Sequence, residues 1–257
     1  MATVLRTILL KSFILLLLFS VSFQAIAQLP VHDSFETAQL SKIWDTSRLV
    51  KGAATIQSNI ADSGHNALKI ILKKGDKYEA GNDSSKVSER AELSEKKQLF
   101  SKEYSSYEYS FAMLIPGDFP IVPTRLVIAQ WKQECNKEIC SDDSPVLALR
   151  YTGGNLQITI QTSAFRKVVY ETNTDLRNKW IHFRFQTNFS RIKGYIKAWI
   201  NDKQVLDYEG KTCYAEDRGY NNNSLIYFKM GLYRDTMPAP MTIYIDDYAK
   251  KELPNSL

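Results

Sequence analysis

The run Ile226-Tyr227-Phe228-Lys229-Met230-Gly231-Leu232-Tyr233 alternates without a break. Successive side chains of a strand point to opposite faces, so Ile226, Phe228, Met230 and Leu232 share one side and Tyr227, Lys229, Gly231 and Tyr233 the other. A helical period would scatter both sets. The segment therefore reads as a strand with one face on a core and the other face polar. The same period of two recurs outward from it, in Tyr107 to Met113, Val127 to Lys132, Val146 to Tyr151, Leu156 to Thr162, Trp180 to Gln186, Tyr195 to Ile200 and Met241 to Tyr248. Gly153-Gly154-Asn155 and Asn201-Asp202 supply turn chemistry between neighbouring runs and predict hairpins. Helix-period runs are scarce after Ala53. Many short strands without intervening helices predict an all-β chain of about a dozen strands, folded as two antiparallel sheets or a barrel.

The N-terminal residues carry Arg6 and Lys11 and no acid, then an apolar stretch from Phe13 to Phe23, then Ala25-Ile26-Ala27. This is the pattern of a signal peptide over residues 1–27. Residues 28–257 then form a single domain, secreted or periplasmic, with no later segment long enough to span a membrane. Loss of Arg6 and Lys11 lowers the formal net charge of +5 by two. A mildly basic protein suits an anionic partner, but the excess is too small and dispersed for nucleic acid. We expect a monomer. Three cysteines remain, and in an oxidising compartment Cys135 and Cys140, five residues apart in a polar stretch, are expected to close a small loop and leave Cys213 free; a pairing of Cys213 with either stays open.

Two further strands repeat the segregation of the first. Arg90, Glu92 and Ser94 oppose Ala91 and Leu93, while Gln130 and Lys132 oppose Ala129 and Trp131. Together the three polar faces hold cations, an amide, two phenols and one acid. A face meant only for solubility would mix both charge signs and would not favour Tyr.

In content and chain order these segments resemble the three motifs of the jelly-roll polysaccharide lyases. Arg90-Ala91-Glu92-Leu93, Gln130-Trp131-Lys132 and Tyr227-Phe228-Lys229-Met230-Gly231-Leu232-Tyr233 are similar to the motifs of the alginate lyase group, and SPVLALRYTGGNLQI (Ser144 to Ile158) is closer to heparinase I and glucuronan lyase. The opening HDSFETAQLSKIWD and closing TIYIDDYAK also resemble a concanavalin A-like jelly roll. One departure stands out: Lys132 occupies the place where the alginate and heparin enzymes carry His. Neither His65 nor His182 lies in a matching motif, and each reads as a structural or surface residue.

The resemblance implies β-elimination on a uronate-containing polysaccharide of the glucuronan, alginate or glycosaminoglycan type. That chemistry needs the carboxylate neutralised, the C5 proton removed and O4 protonated. Arg90 suits the first role because a guanidinium binds a carboxylate bidentately and stays charged, and Gln130 can add an amide donor. Tyr233 suits the other two as phenolate and then phenol, provided that Lys229 or Lys132 lowers its pKa. Lys132 is the alternative base. Glu92 is expected to orient a cation, and Tyr227 and Lys229 to contact substrate. No cofactor is required for such a reaction. A structural calcium held by Glu36, Asp246 and Asp247 is entertained from the jelly-roll resemblance. The competing classes are a non-catalytic carbohydrate-binding protein and a glycoside hydrolase. The second is disfavoured because no Glu-x-Asp-x-Glu arrangement is present, Glu89 and Glu92 fall on opposite faces, and Asp246 and Asp247 sit at the chain's end.

Overall fold

In the computed structural model the described residues are 30–47, 49–77, 88–135, 144–215, 219–220 and 223–254. The leader reading of residues 1–27 lies outside them. The chain forms two antiparallel eight-stranded sheets. The first runs β14 (Lys203–Gly210), β13 (Gly194–Ile200), β12 (Trp180–Asn188), β7 (Ser106–Leu114), β16 (Met241–Leu253), β4 (Ala67–Leu72) and β3 (Ala54–Gln57), with β1 (Val31–Asp33) also pairing β16. The second runs β11 (Arg166–Thr172), β10 (Asn155–Gln161), β9 (Leu147–Thr152), β8 (Leu126–Gln133), β15 (Leu225–Asp235), β5 (Ser88–Glu95) and β2 (Trp44–Asp45), with β6 (Ser101–Lys102) also on β15. The all-β expectation holds. Three of the sixteen described strands, β1, β2 and β6, are too short to show a period in sequence.

The hairpins form where turn chemistry placed them. Gly153 and Gly154 link β9 to β10, Asn201 and Asp202 link β13 to β14, and all four have positive φ. Two consecutive left-handed residues match the right-handed twist of the flanking strands, which explains Gly, Asn and Asp at these points.

The core lies between the sheets and is rich in aromatic rings. Trp131 and Phe228 from the second sheet meet Tyr109, Phe111 and Phe185 from the first, with Trp131 at 4.8 Å from Phe185 and Phe228 at 5.6 Å from Phe111 between ring centroids. Their burial forces the alternating partners, including Gln130, Lys132, Tyr227 and Lys229, onto the face turned away from the core.

Cys213 is free and buried; Cys140 lies outside the described residues, and with it the expected Cys135–Cys140 pairing. The acids entertained as calcium ligands are acceptors for one loop. Glu36 accepts the backbone N–H groups of His65 and Asn66 at 2.9 and 3.0 Å, Asp246 those of Asp62, Ser63 and Asp247, and Asp247 the Ser63 hydroxyl. Among the described residues no three His, Cys, Asp or Glu side chains converge as a metal cluster.

Candidate active site

The strands bearing the three motifs are neighbours. β15 lies between β8 and β5, with Tyr233 opposite Arg90, Gly231 opposite Glu92 and Lys229 opposite both Ser94 and Gln130. All seven residues singled out in the sequence therefore stand on one face of three adjacent strands. They are spread along it. Tyr233 and Arg90 stand at one end, Glu92 and Gln130 are bonded to each other in the middle, and Lys132 stands opposite Tyr227 at the other end. Six residues separate Tyr227 from Tyr233, about 20 Å at the rise of a strand. Lys132 is thus not brought to Tyr233, and neither is His182, which lies on β12 in the first sheet beside Asp62 at 3.5 Å.

Tyr233 is half-buried between two guanidinium groups. Arg90 lies 4.2 Å and Arg125 4.5 Å from its ring centroid. Burial alone would raise the phenol's pKa, but a hydrogen bond and the charge of Arg125, the charge of Arg90 and a hydrogen bond with Ser88 outweigh it, leaving the pKa below its ordinary value. The cations beside Tyr233 that lower its pKa are these two arginines, and not Lys229 or Lys132, which the sequence suggests. Arg125 is itself fixed by Asp235, which accepts from Nε at 2.8 Å and Nη2 at 2.6 Å. Arg90 has a looser tether, with Nε 3.7 Å from Glu92 Oε2.

Glu92 is buried, and its Oε1 accepts a hydrogen bond from the Gln130 amide. One of the two Gln130 N–H donors is therefore engaged with Glu92, and the other is available. Glu92 Oε2 is buried without a hydrogen-bond partner. Glu92 thus positions Gln130 and stands beside Arg90. Gly231 has a role in pairing. Its φ is +138°, and a Cβ there would meet the Ala91 carbonyl oxygen of β5 at 2.3 Å. Glycine is required at this position for β5 to lie against β15.

At the far end Lys229 is buried under the Tyr227 ring, 5.4 Å from Nζ to centroid, and Tyr227 stacks on Phe100 at 4.9 Å. Toward β9 the face holds Arg150, buried among Thr159 and the neighbouring arginines.

Sequence reasoning missed Arg125 and Arg150. Counting by twos from Gln130 puts Arg125 on the core side, because 125 is odd and 130 is even. A bulge in β8 between Val127 and Ala129 inserts one residue and reverses the parity, so that both arrive on the same face. Arg150 carried a signal that was available: it is the lone charge in a strand whose alternate positions, Leu147, Leu149 and Tyr151, are core.

The family model described as polysaccharide lyase matches residues 35–249. No curated protein matches the chain. Among solved structures, it is similar to the endo-β-1,4-glucuronan lyase of the fungus Trichoderma reesei, at 17% identity over 87% of this chain and 95% of that one, with a TM-score of 0.66. It is also similar to the alginate lyase A1-II′, a member of polysaccharide lyase family 7, at 12% identity over 79% of this chain and 84% of that one, with a TM-score of 0.52. At these identities the likeness is one of fold.

Proposed function

Because the chain belongs to the polysaccharide lyase family, we propose that it cleaves a uronate-containing polysaccharide by β-elimination, with Tyr233 making both proton transfers. The observation that carries this reading is the phenol held between Arg90 and Arg125 with its pKa lowered. A tyrosine used only for stacking needs no such surroundings; a phenolate base does. In the first step Tyr233 takes the C5 proton of the uronate, and charge spreads onto the carboxylate oxygens, where Arg90 and the available Gln130 N–H receive it. The electron pair left at C5 forms the C4=C5 double bond as the C4–O4 bond breaks. O4 takes the proton back from Tyr233, which is restored as phenolate.

Side chains fill every role, so the proposal needs no cofactor. Lys229, Tyr227 and Lys132 extend the basic and aromatic face away from the reacting sugar and are assigned to further units of the polymer. The substrates in view are glucuronan, alginate and glycosaminoglycans, and the leader reading places the reaction outside the cytoplasm. Hydrolysis by two carboxylates has little support on this face, since Glu92 is buried against Gln130 and Asp235 is held by Arg125.

The test is ultraviolet absorbance from the conjugated double bond of the new non-reducing end, read over a panel of these polymers. Wild-type protein should generate it on at least one. Tyr233→Phe, which keeps the ring and loses the hydroxyl, should lower kcat by at least about a hundredfold, the low end for a general acid–base group, with binding retained. Reducing ends without absorbance would reassign the chemistry to hydrolysis. A Tyr233→Phe enzyme within about threefold of wild type, less than 1 kcal/mol of barrier, would remove Tyr233 from the proton transfers.

A further inference from the structure

Three arginines converge near Tyr233, and two of them have carboxylate neighbours: Glu92 for Arg90 and Asp235 for Arg125. Arg150 has none. Only 8% exposed, it makes one hydrogen bond, from Nε to the Thr159 hydroxyl at 3.1 Å. Its terminal nitrogens are absent from the sealed, unpartnered atoms among the described residues, so they keep contact with solvent over the face. Arg150 and Thr159 lie on the polar side of β9 and β10, their neighbours Leu149 and Ile158 being core. A guanidinium so placed costs desolvation without gaining an ion pair, and the nearby charges of Arg166 and Arg125 add repulsion. Burial and that repulsion bring its pKa down to about 10, which still leaves it charged at neutral pH. An anion arriving from solution would supply the missing ion pair and offset the repulsion.

Position suggests which anion. Arg150 pairs with Val127 of β8, and Val127 pairs with Tyr233 of β15. Arg150 is therefore two strand spacings, about 10 Å, from the Tyr233 backbone, in the direction away from Arg90. Carboxylates on neighbouring units of an extended polyuronate are separated by a comparable step. We propose that Arg150 and Thr159 form a second carboxylate subsite that holds the uronate next to the one being cleaved. This deepens the reading of the site as a lyase and rests on it. The consequence is a substrate class: the enzyme takes polymers with an acid on consecutive sugars in preference to those in which uronates alternate with neutral hexosamine.

The test compares wild type, Arg150→Gln and Thr159→Val on an oligomeric homopolyuronate and on an unsulfated alternating uronate–hexosamine oligosaccharide. Kinetics are followed by product absorbance and binding by calorimetry. Wild type should favour the homopolymer. Arg150→Gln should raise KM on it by about tenfold or more, the scale of a charge-assisted hydrogen bond, with kcat within about threefold and no change on the alternating oligosaccharide. Thr159→Val, which keeps the shape and removes the tether, should shift KM the same way by a smaller factor and decides the matter if Arg150→Gln does not fold. Unchanged KM in a variant that melts like wild type would overturn the subsite, as would an equal loss of kcat on both substrates, which would put Arg150 in the chemistry instead. A wild type that binds the homopolyuronate in an Arg150-dependent way but yields no unsaturated product would leave the subsite standing and overturn the lyase mechanism.

Discussion

Tyr233 illustrates how much a single side chain can reveal and conceal in sequence. Its alternation with Lys229 and Tyr227 places it on the polar face, but the groups that lower its pKa come from other strands. Arg90 lies directly across on β5, and Arg125 reaches it from the start of β8. Since burial works to raise the Tyr233 pKa and Arg125 is the chief influence lowering it, removal of Arg125 has a defined sign. A phenolate base gives a rate that rises with pH until the phenol is ionised. In Arg125→Gln the rising limb of kcat/KM should move to higher pH, because the opposing burial remains; a limb that stays in place would show that Arg125 does not tune the base. Lys132 carries the opposite expectation. It stands opposite Tyr227, about 20 Å along the strand from Tyr233; on the proposed reading it serves binding, so Lys132→Ala should raise KM by a few-fold to about tenfold, with kcat nearly unchanged. A collapse of kcat would return Lys132 to the position of the missing His.

At the scale of the element, β15 is the strand on which the site depends, and its partner β5 is held to it by a buried ion pair. Arg234 and Glu89 are fully buried, with Nη2 2.8 Å and Nε 2.9 Å from Glu89 Oε2. Arg234 also donates to the Ala239 carbonyl at 2.7 Å, and Glu89 Oε1 accepts from the Gly75 N–H at 2.7 Å. This pair is adjacent in register to Tyr233 and Arg90, one residue along and on the opposite face. It fixes the alignment that sets the guanidinium over the phenol. Arg234→Met should leave Glu89 buried without its cation and cost about 3–5 kcal/mol, read as a lower midpoint in denaturant with an unchanged slope. Stability like that of wild type would show that the pair contributes little. The opposition of Glu89 and Glu92 was legible from parity alone. The partner of Glu89 was not, because sequence gives a strand's own faces and says nothing of which strand lies beside it. The same gap hid Gly231, whose lack of a side chain answers to the Ala91 carbonyl across the ladder. Bulges widen the gap, as β8 shows: one inserted residue changed the face of Arg125 without changing any local pattern.

Across the whole molecule, the two sheets are joined by an apolar core legible from alternation and by a polar network that was not. Glu95 of β5 is buried in the second sheet and reaches across to the first. It accepts from the Tyr248 hydroxyl at 2.6 Å, from Lys250 Nζ at 3.1 and 3.2 Å, and from the Phe228 N–H at 3.1 Å, while Lys250 also donates to the Leu99 carbonyl. In sequence Glu95 and Lys250 look like ordinary surface charges near strand ends, and only the packing of β5 over β16 buries them together. Burial is the largest influence on both, raising the pKa of Glu95 and lowering that of Lys250, and the Lys250 charge is the chief force holding Glu95 down. In Lys250→Met the folded-state pKa of Glu95 should therefore climb further above its ordinary 4.5. A carboxyl raised in the folded state favours folding fully while the pH is below the unfolded value. That contribution is lost as pH rises through the folded value, because the unfolded chain releases its proton first. Lys250→Met should thus be least destabilised near pH 4 and progressively more so toward neutrality, reaching about 3–5 kcal/mol, the usual cost of breaking a buried pair. Adding Glu95→Gln keeps an acceptor for Tyr248 or Phe228 and removes the titrating group. The double variant should lose that pH slope and recover part of the stability, giving a coupling energy in a double-mutant cycle. Chemical denaturation of the four proteins between pH 4 and 8 measures this; a Lys250→Met deficit that does not vary with pH would mean that Glu95 is not the group its charge controls.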